Sequence, residues 1–171
     1  MKIAFLKLMS VVFGIILVSD VFSQCKDRTS YFEIEAGCAK KYSEPSYLSD
    51  GQDYRALLKG NATAEFYPTF YNDNTYRIIG CTDIEGGSLL FTITDIKGNV
   101  LFNNKDHQNA PYWDLEFKAT VECKITVGLS PETQKLAGGS EPVASGQDSL
   151  KTESAASGTP ICSVILIGYK Q

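Results

Sequence analysis

Nucleophilic catalysis needs a base beside the nucleophile, and this chain has a single histidine, His107, in the polar stretch FNNKDHQNAPYW. No serine, cysteine or threonine stands in a G-x-S-x-G elbow or a comparable turn that would present it to that imidazole. A zinc centre needs three or four converging N or S ligands, which one histidine and scattered cysteines do not supply. Hydrolysis of a glycoside by paired carboxylates would need two acids facing one cleft. Of the candidates, Asp83, Glu85, Asp95 and Asp106 fall in turns, where acids are ordinary turn formers, and Asp114 alternates outward on a strand. The chain therefore reads as having no catalytic residue and not as an enzyme. Calcium asks only for oxygens on loops at one end of a sandwich, so Asp83, Glu85 and Asp106 are the candidate ligands for the one cofactor left open.

Aromatic side chains are the other possible contact set. Among nine Tyr and nine Phe, Tyr67, Tyr71 and Tyr112 fall on the polar parity of their segments or in loops. There an exposed ring can stack on a sugar or pack on a protein partner. Trp113 heads an apolar parity instead and is assigned to the core.

The elements that would position these residues begin after a leader. Lys2 and Lys7 flank the start of an apolar run, Leu8 to Val18, that is followed by Val21-Phe22-Ser23, the pattern of a secretory signal peptide over residues 1–23. The run is about half the roughly 20 residues that span a bilayer, so the mature chain is expected to carry no transmembrane segment. The location implied is secreted, periplasmic or cell envelope. A lipid anchor at Cys25 is an alternative, although Gln24 stands where lipoprotein signals carry a small residue. Removing Lys2, Lys7 and Asp20 from 16 basic and 20 acidic residues leaves 14 against 19, a net charge of −5. Nucleic acid is excluded as a partner on this count, because the only adjacent basic pair is Lys40-Lys41. All five cysteines, Cys25, Cys38, Cys81, Cys123 and Cys162, follow the leader and are disulfide candidates in an oxidising compartment. Sequence alone leaves their pairing open.

The mature residues 24–171 suit one domain. TSYFEIEAGCAKKY reads as a short N-terminal helix, with Ser30 and Glu33 at capping-box spacing and Lys40-Lys41 at the C-terminal end. Ile34 and Cys38 share one face, so a bridge from Cys38 would tie the helix to whatever lies beneath it. After Asp50-Gly51 the period changes to two. DYRALLKG places Tyr54, Ala56 and Leu58 together, ATAEFYPTFY places Ala64, Phe66 and Phe70 opposite Tyr67 and Tyr71, and Pro68 marks an edge or a bulge. TYRIIGC, SLLFTITD and VLFNN follow.

WDLEFKATVECKITVGL then places an apolar residue at every odd position from Trp113 to Leu129. As one strand it would exceed about 50 Å, so it must break, and the break is expected near Ala119-Thr120-Val121. A bend between two sheets keeps the odd set on one core. ICSVILIGY is apolar at both parities and is expected to be covered on both faces, by the opposing sheet and by the N-terminal helix. Between them, Ser130 to Pro160, thirty-one residues without an aromatic, reads as a disordered loop within the domain, the alternative being a domain that ends near Leu129. The sum is a mainly β chain, a jelly-roll-like antiparallel β-sandwich of about eight strands with one short helix.

TYRIIGC, LLFTITDIKGNVLF and PYWDLEFKATVECKITVGL together resemble the pre-peptidase C-terminal type of β-sandwich, an accessory domain of secreted bacterial proteins, over residues 53–129 and the last strand. The chain has Thr120-Val121-Glu122 where that family commonly has a Gly-Thr-Tyr lead-in. The resemblance implies a jelly-roll-like sandwich that binds matrix, glycan or a partner protein, in some relatives with calcium. Two functions follow from these readings: a non-catalytic binding module that contacts glycan, matrix or protein through loops or a sheet face, or a structural protein of the cell envelope with no small ligand.

Overall fold

The computed structural model describes residues 28–138 and 158–171. The predicted signal peptide, Cys25 and most of the Ser130–Pro160 segment lie outside those residues. Among the described residues the chain forms ten strands in two antiparallel sheets with a helix on one outer face. Helix α1 (Arg28–Tyr42) leads into β1 (Leu48–Ser49), β2 (Tyr54–Leu58), β3 (Thr63–Phe66), β4 (Thr69–Phe70) and β5 (Asn74–Thr82). Strands β6 (Leu89–Asp95) and β7 (Val100–Asn103) form a hairpin, and a 3-10 turn (Asn104–His107) connects it to β8 (Tyr112–Phe117). Then come β9 (Val121–Leu129), helix α2 (Pro131–Leu136) and β10 (Ile161–Lys170). The first sheet runs β1-β10-β5-β8 with β2 also paired to β10, and the second runs β3-β9-β6-β7 with β4 also paired to β9. No helix of the described residues is long and apolar enough to cross a membrane.

The Trp113–Leu129 alternation resolves as two strands in different sheets. β8 pairs with β5 in the first (Ile78 opposite Trp113), β9 pairs with β6 in the second (Ile93 opposite Ile125), and residues 118–120 turn the corner. Because the chain crosses from one sheet to the other there, the odd-numbered side chains face the same core from both sides. Phe117, Cys123, Ile125, Val127 and Leu129 are buried in it, with Trp113, Leu115 and Val121 packed on its margin. Phe70 is the aromatic centre of that core, stacked on Phe117 at 4.5 Å and edge-on to Tyr76 at 4.8 Å.

β10 is covered on both faces as its composition requires. Ile161, Ile165 and Ile167 point into the sandwich, whereas Leu166 lies under α1 with Ile34, Cys38, Tyr42, Ile79 and Cys81. The helix spans Arg28–Tyr42, so Ser30 lies within it and not before it. The disulfide from Cys38 to Cys81 fastens it to β5, with the two Cα atoms 6.3 Å apart. Arg55 adds a second tie, reaching Glu35 at 2.8 Å.

Ser130–Leu136 is ordered where a structureless loop is expected. Ser130 caps α2 by accepting a hydrogen bond from the Thr133 backbone at 3.1 Å, and Pro131 occupies the first turn, where its missing N–H has no partner to lose. Both Ser130 and Thr133 are fully buried against Ser88. The composition of the whole segment hides this local start signal.

Candidate functional site

β3 and β4 are two pieces of one edge. β3 pairs with β9 through Phe66, Pro68 interrupts the ladder because it has no N–H to give, and β4 resumes the pairing at Thr69. The Pro68 carbonyl accepts the Cys123 N–H at 3.0 Å, so the kink is tied to β9. Phe70 is driven into the core, and the rings that flank it are turned out: Tyr67 is 70% exposed and Tyr71 60%. The exposure expected from parity holds at both positions.

Each ring is held differently. The Tyr67 hydroxyl donates to Glu65 at 2.6 Å, and Lys124 donates to the other Glu65 oxygen at 2.9 Å. These two donors hold the Glu65 carboxyl below its ordinary pKa. Glu65 lies opposite Thr126 on the face of the second sheet turned away from the core, so Tyr67 belongs to that face. Tyr71 is fixed through its backbone, whose N–H donates to the Tyr76 hydroxyl at 2.9 Å. Its ring borders a groove of about 330 Å³ that opens between the two sheets, lined also by Asp50, Pro68, Asn74, Tyr76 and Tyr169. In the groove Asp50 accepts the Gln52 N–H and the Tyr54 hydroxyl, each at 3.0 Å. Burial pushes the Asp50 carboxyl above the usual carboxylate range. Asn74 donates to the Asn72 carbonyl at 3.1 Å, and its side-chain oxygen has no hydrogen-bond partner in the protein.

Tyr112 is not brought to this site. It lies on β8 in the other sheet, 39% exposed, with its ring 5.6 Å from Tyr42 and 4.7 Å from the Arg77 guanidinium. Arg77, 6% exposed, is a hub that sequence reasoning did not single out. It grips both Asp114 oxygens at 2.7 Å, Glu44 at 3.0 Å and the Tyr42 carbonyl at 3.1 Å, and stacks on Tyr47. The Tyr42 and Glu44 contacts fasten the end of α1 and the chain after it to the sheet, and the bidentate pair holds the Asp114 carboxyl below its ordinary pKa. Asp114 faces outward as its parity predicts, and there it serves as the partner of Arg77.

The three candidate calcium ligands do not assemble. Asp83 is used by the backbone of β10: its carboxylate accepts the Cys162 N–H at 3.2 Å and its own N–H donates to the Cys162 carbonyl at 3.1 Å. Glu85 shares with it a broad cleft of about 1030 Å³ between α1 and the loop after β5, but Asp106 stands on the 3-10 turn outside that lining. Among the described residues no group of three or more His, Cys, Asp or Glu could hold a metal ion. A carboxylate in a turn or beside a strand end binds the nearest N–H first, and Asp95 does the same with Lys97 and Asn99.

His107 packs against the ring of Trp113 at 4.2 Å and that of Phe102 at 5.2 Å. Beside it, Asn104 is fully buried and its amide closes the edge of β6, accepting from the Phe91 N–H and donating to the Leu89 and Ala110 carbonyls. Of the cysteines, Cys38 and Cys81 are bridged and Cys162 is disulfide-bonded. Cys123 is a free thiol, buried in the core, with its pKa pushed up to about 11 by that burial. The Cys38–Cys81 bridge is the signature of a chain that folds outside the reducing cytosol.

The fold and site define an antiparallel β-sandwich with one helix-covered face, one open face and a tyrosine-flanked edge. No family model matches the chain, and no curated protein matches it in sequence. Among solved structures it is similar to Aeromonas hydrophila PliG, a periplasmic lysozyme inhibitor of g-type lysozyme, at a TM-score of 0.44 and 8% identity over 72% of this chain and 91% of that one. A likeness this distant carries none of that protein's binding residues across.

Proposed function

We propose that this chain is an exported, non-catalytic binding module and that it meets its ligand on the kinked edge carrying Tyr67 and Tyr71. The observation that carries the reading is the pair of exposed rings on one anchored segment. Phe70 between them is fully buried, Pro68 is tied to β9, and the Tyr71 N–H is bonded to Tyr76. Large apolar rings left in water on a rigid edge lose little conformational freedom on binding and offer wide contact area, which is what a recognition surface needs. The resemblance of residues 53–129 to pre-peptidase C-terminal domains accords with a module that binds matrix, glycan or protein.

The test compares the exported protein with its Tyr67→Ala/Tyr71→Ala variant, fluorescently labelled, for binding to intact cells and to envelope material of the producing organism. Binding lost at an unchanged melting temperature supports the assignment. Equal binding by both proteins refutes it, and a melting temperature that collapses in the variant shows that the rings are core.

A further inference from the structure

The groove beside Tyr71 has the composition of a saccharide site, and we propose that it binds a neutral oligosaccharide, one ring of which stacks on Tyr71 while its hydroxyls donate to Asp50. This deepens the binding-module reading and rests on it.

Three features of the groove select this chemistry. The first is its amphipathic wall. Tyr71, Tyr169 and the buried Tyr76 line it together with Asp50 and Asn74. A pyranose is matched to such a wall, because its C–H faces are apolar and its rim is a belt of hydroxyl donors. At about 330 Å³ the groove lies at the lower end of the range for ligand sites, a size for one or two sugar units and not for a protein loop.

The second is acceptor capacity without cations. An ionised carboxylate offers about four lone-pair positions, and the Gln52 N–H and the Tyr54 hydroxyl occupy two of those on Asp50. The rest face a partly buried setting in which a donated hydroxyl bond is stronger than in water. Among the described residues lining the groove there is no Lys, Arg or His, so a phosphate, sulfate or uronate would meet the Asp50 carboxyl with nothing to balance its charge.

The third is rigidity. Tyr71 stands directly after the buried Phe70, and its N–H is bonded to Tyr76, so the stacking platform is formed before the ligand arrives. A quaternary ammonium would need rings that converge on one point. Tyr76 is instead edge-on to Phe70 and Phe117 and tilted at 41° to Tyr169, 6.1 Å away.

The test is ligand-observed and tyrosine-observed NMR titration of the exported protein. The neutral probes are cellotetraose, chitotetraose and mannotetraose. A tetragalacturonate serves as the anionic probe and tetramethylammonium chloride as the cationic one. At least one neutral tetramer should shift the Tyr71 and Tyr169 ring signals. Tyr71→Ala should weaken it by about tenfold, Tyr71→Phe should retain it, and Tyr112→Ala, on the other sheet, should leave it within about twofold. The proposal is overturned if no neutral tetramer binds at about 10 mM, if only the anion or the ammonium binds, or if Tyr71→Ala binds as the unaltered protein does. Should no sugar bind while the Tyr67→Ala/Tyr71→Ala variant still loses the envelope, the saccharide assignment falls and the binding module stands. Should both fail, both fall.

Discussion

Replacing Cys38 and Cys81 together by alanine should cost this fold about 4 kcal/mol. The bridge closes a loop with a sequence separation of 43 residues. Removing a cross-link of that span returns about 13 cal/mol/K of chain entropy to the unfolded state, which is close to 4 kcal/mol at 25 °C. Alanine is the right replacement because both sulfurs are buried, at 5% and 8% exposure, and an added hydroxyl would need a partner that the apolar patch of Ile34, Ile79 and Leu166 does not offer. The native contacts of α1 survive the change in part, since Arg55 still holds Glu35 and Arg77 still holds the Tyr42 carbonyl. Urea unfolding followed by tryptophan fluorescence, with Trp113 as the only reporter, measures the effect. With a slope of about 1.5–2 kcal/mol/M, the midpoint should fall by about 2–2.7 M. A fall of less than about 0.5 M would refute the loop-entropy account. A loss of far-UV helix signal at an unchanged midpoint would show instead that the bridge only docks α1.

Three further outcomes follow from named contacts. Asn104→Ala deletes the amide that serves the Phe91 N–H and the Leu89 and Ala110 carbonyls; leaving such buried groups unpaired should cost about 2–4 kcal/mol, read by the same urea unfolding, and Asn104→Asp should not restore it, because a carboxylate cannot donate. Asp114 has its folded pKa depressed by Arg77, so its contribution is present above the unfolded value of 3.8 and is lost as pH falls through the folded one. Asp114→Asn should therefore melt below the parent protein at pH 7 and beside it near pH 2, and an equal gap at both would sink this reading. Cys123, buried with its thiol pKa near 11, should resist a maleimide reagent in the native protein and react once in denaturant.

How much of this was legible in the sequence depended on the range of the interaction concerned. The alternation from Trp113 to Leu129 states which side chains share a core and, through its length, that the chain must turn; both the bend and the crossing between sheets follow from those two facts. The two-sided burial of β10 is legible for the same reason, since a strand apolar at both parities needs two covers, and among the described residues α1 is the only helix long enough to be the second. Local signals failed where a broader average overrode them. Ser130-Pro131-Glu132 carries a helix start, an oxygen cap followed by proline and an acid, but it opens a stretch whose composition reads as disorder.

The site divides along the same line. Exposure of Tyr67 and Tyr71 follows from parity around Phe70, a relation within five residues. The groove beside Tyr71 does not, because Asp50 reaches it from the end of β1 and Tyr169 from β10, positions joined only by sheet pairing. The calcium set failed in the reverse sense. Asp83 and Glu85 are two residues apart and share a cleft, but Asp83 is taken by the Cys162 N–H, which arrives on β10 from 79 residues away. Arg77 is the residue most easily missed when side chains are read one at a time. An arginine in the middle of TYRIIGC is apolar by context and charged by chemistry, and a buried charge must be matched by acids brought from elsewhere, here Glu44 and Asp114 from opposite sides in sequence. A charged residue inside a strand of otherwise buried residues therefore implies its partners: they must be carboxylates on a neighbouring strand or on the segment that covers it.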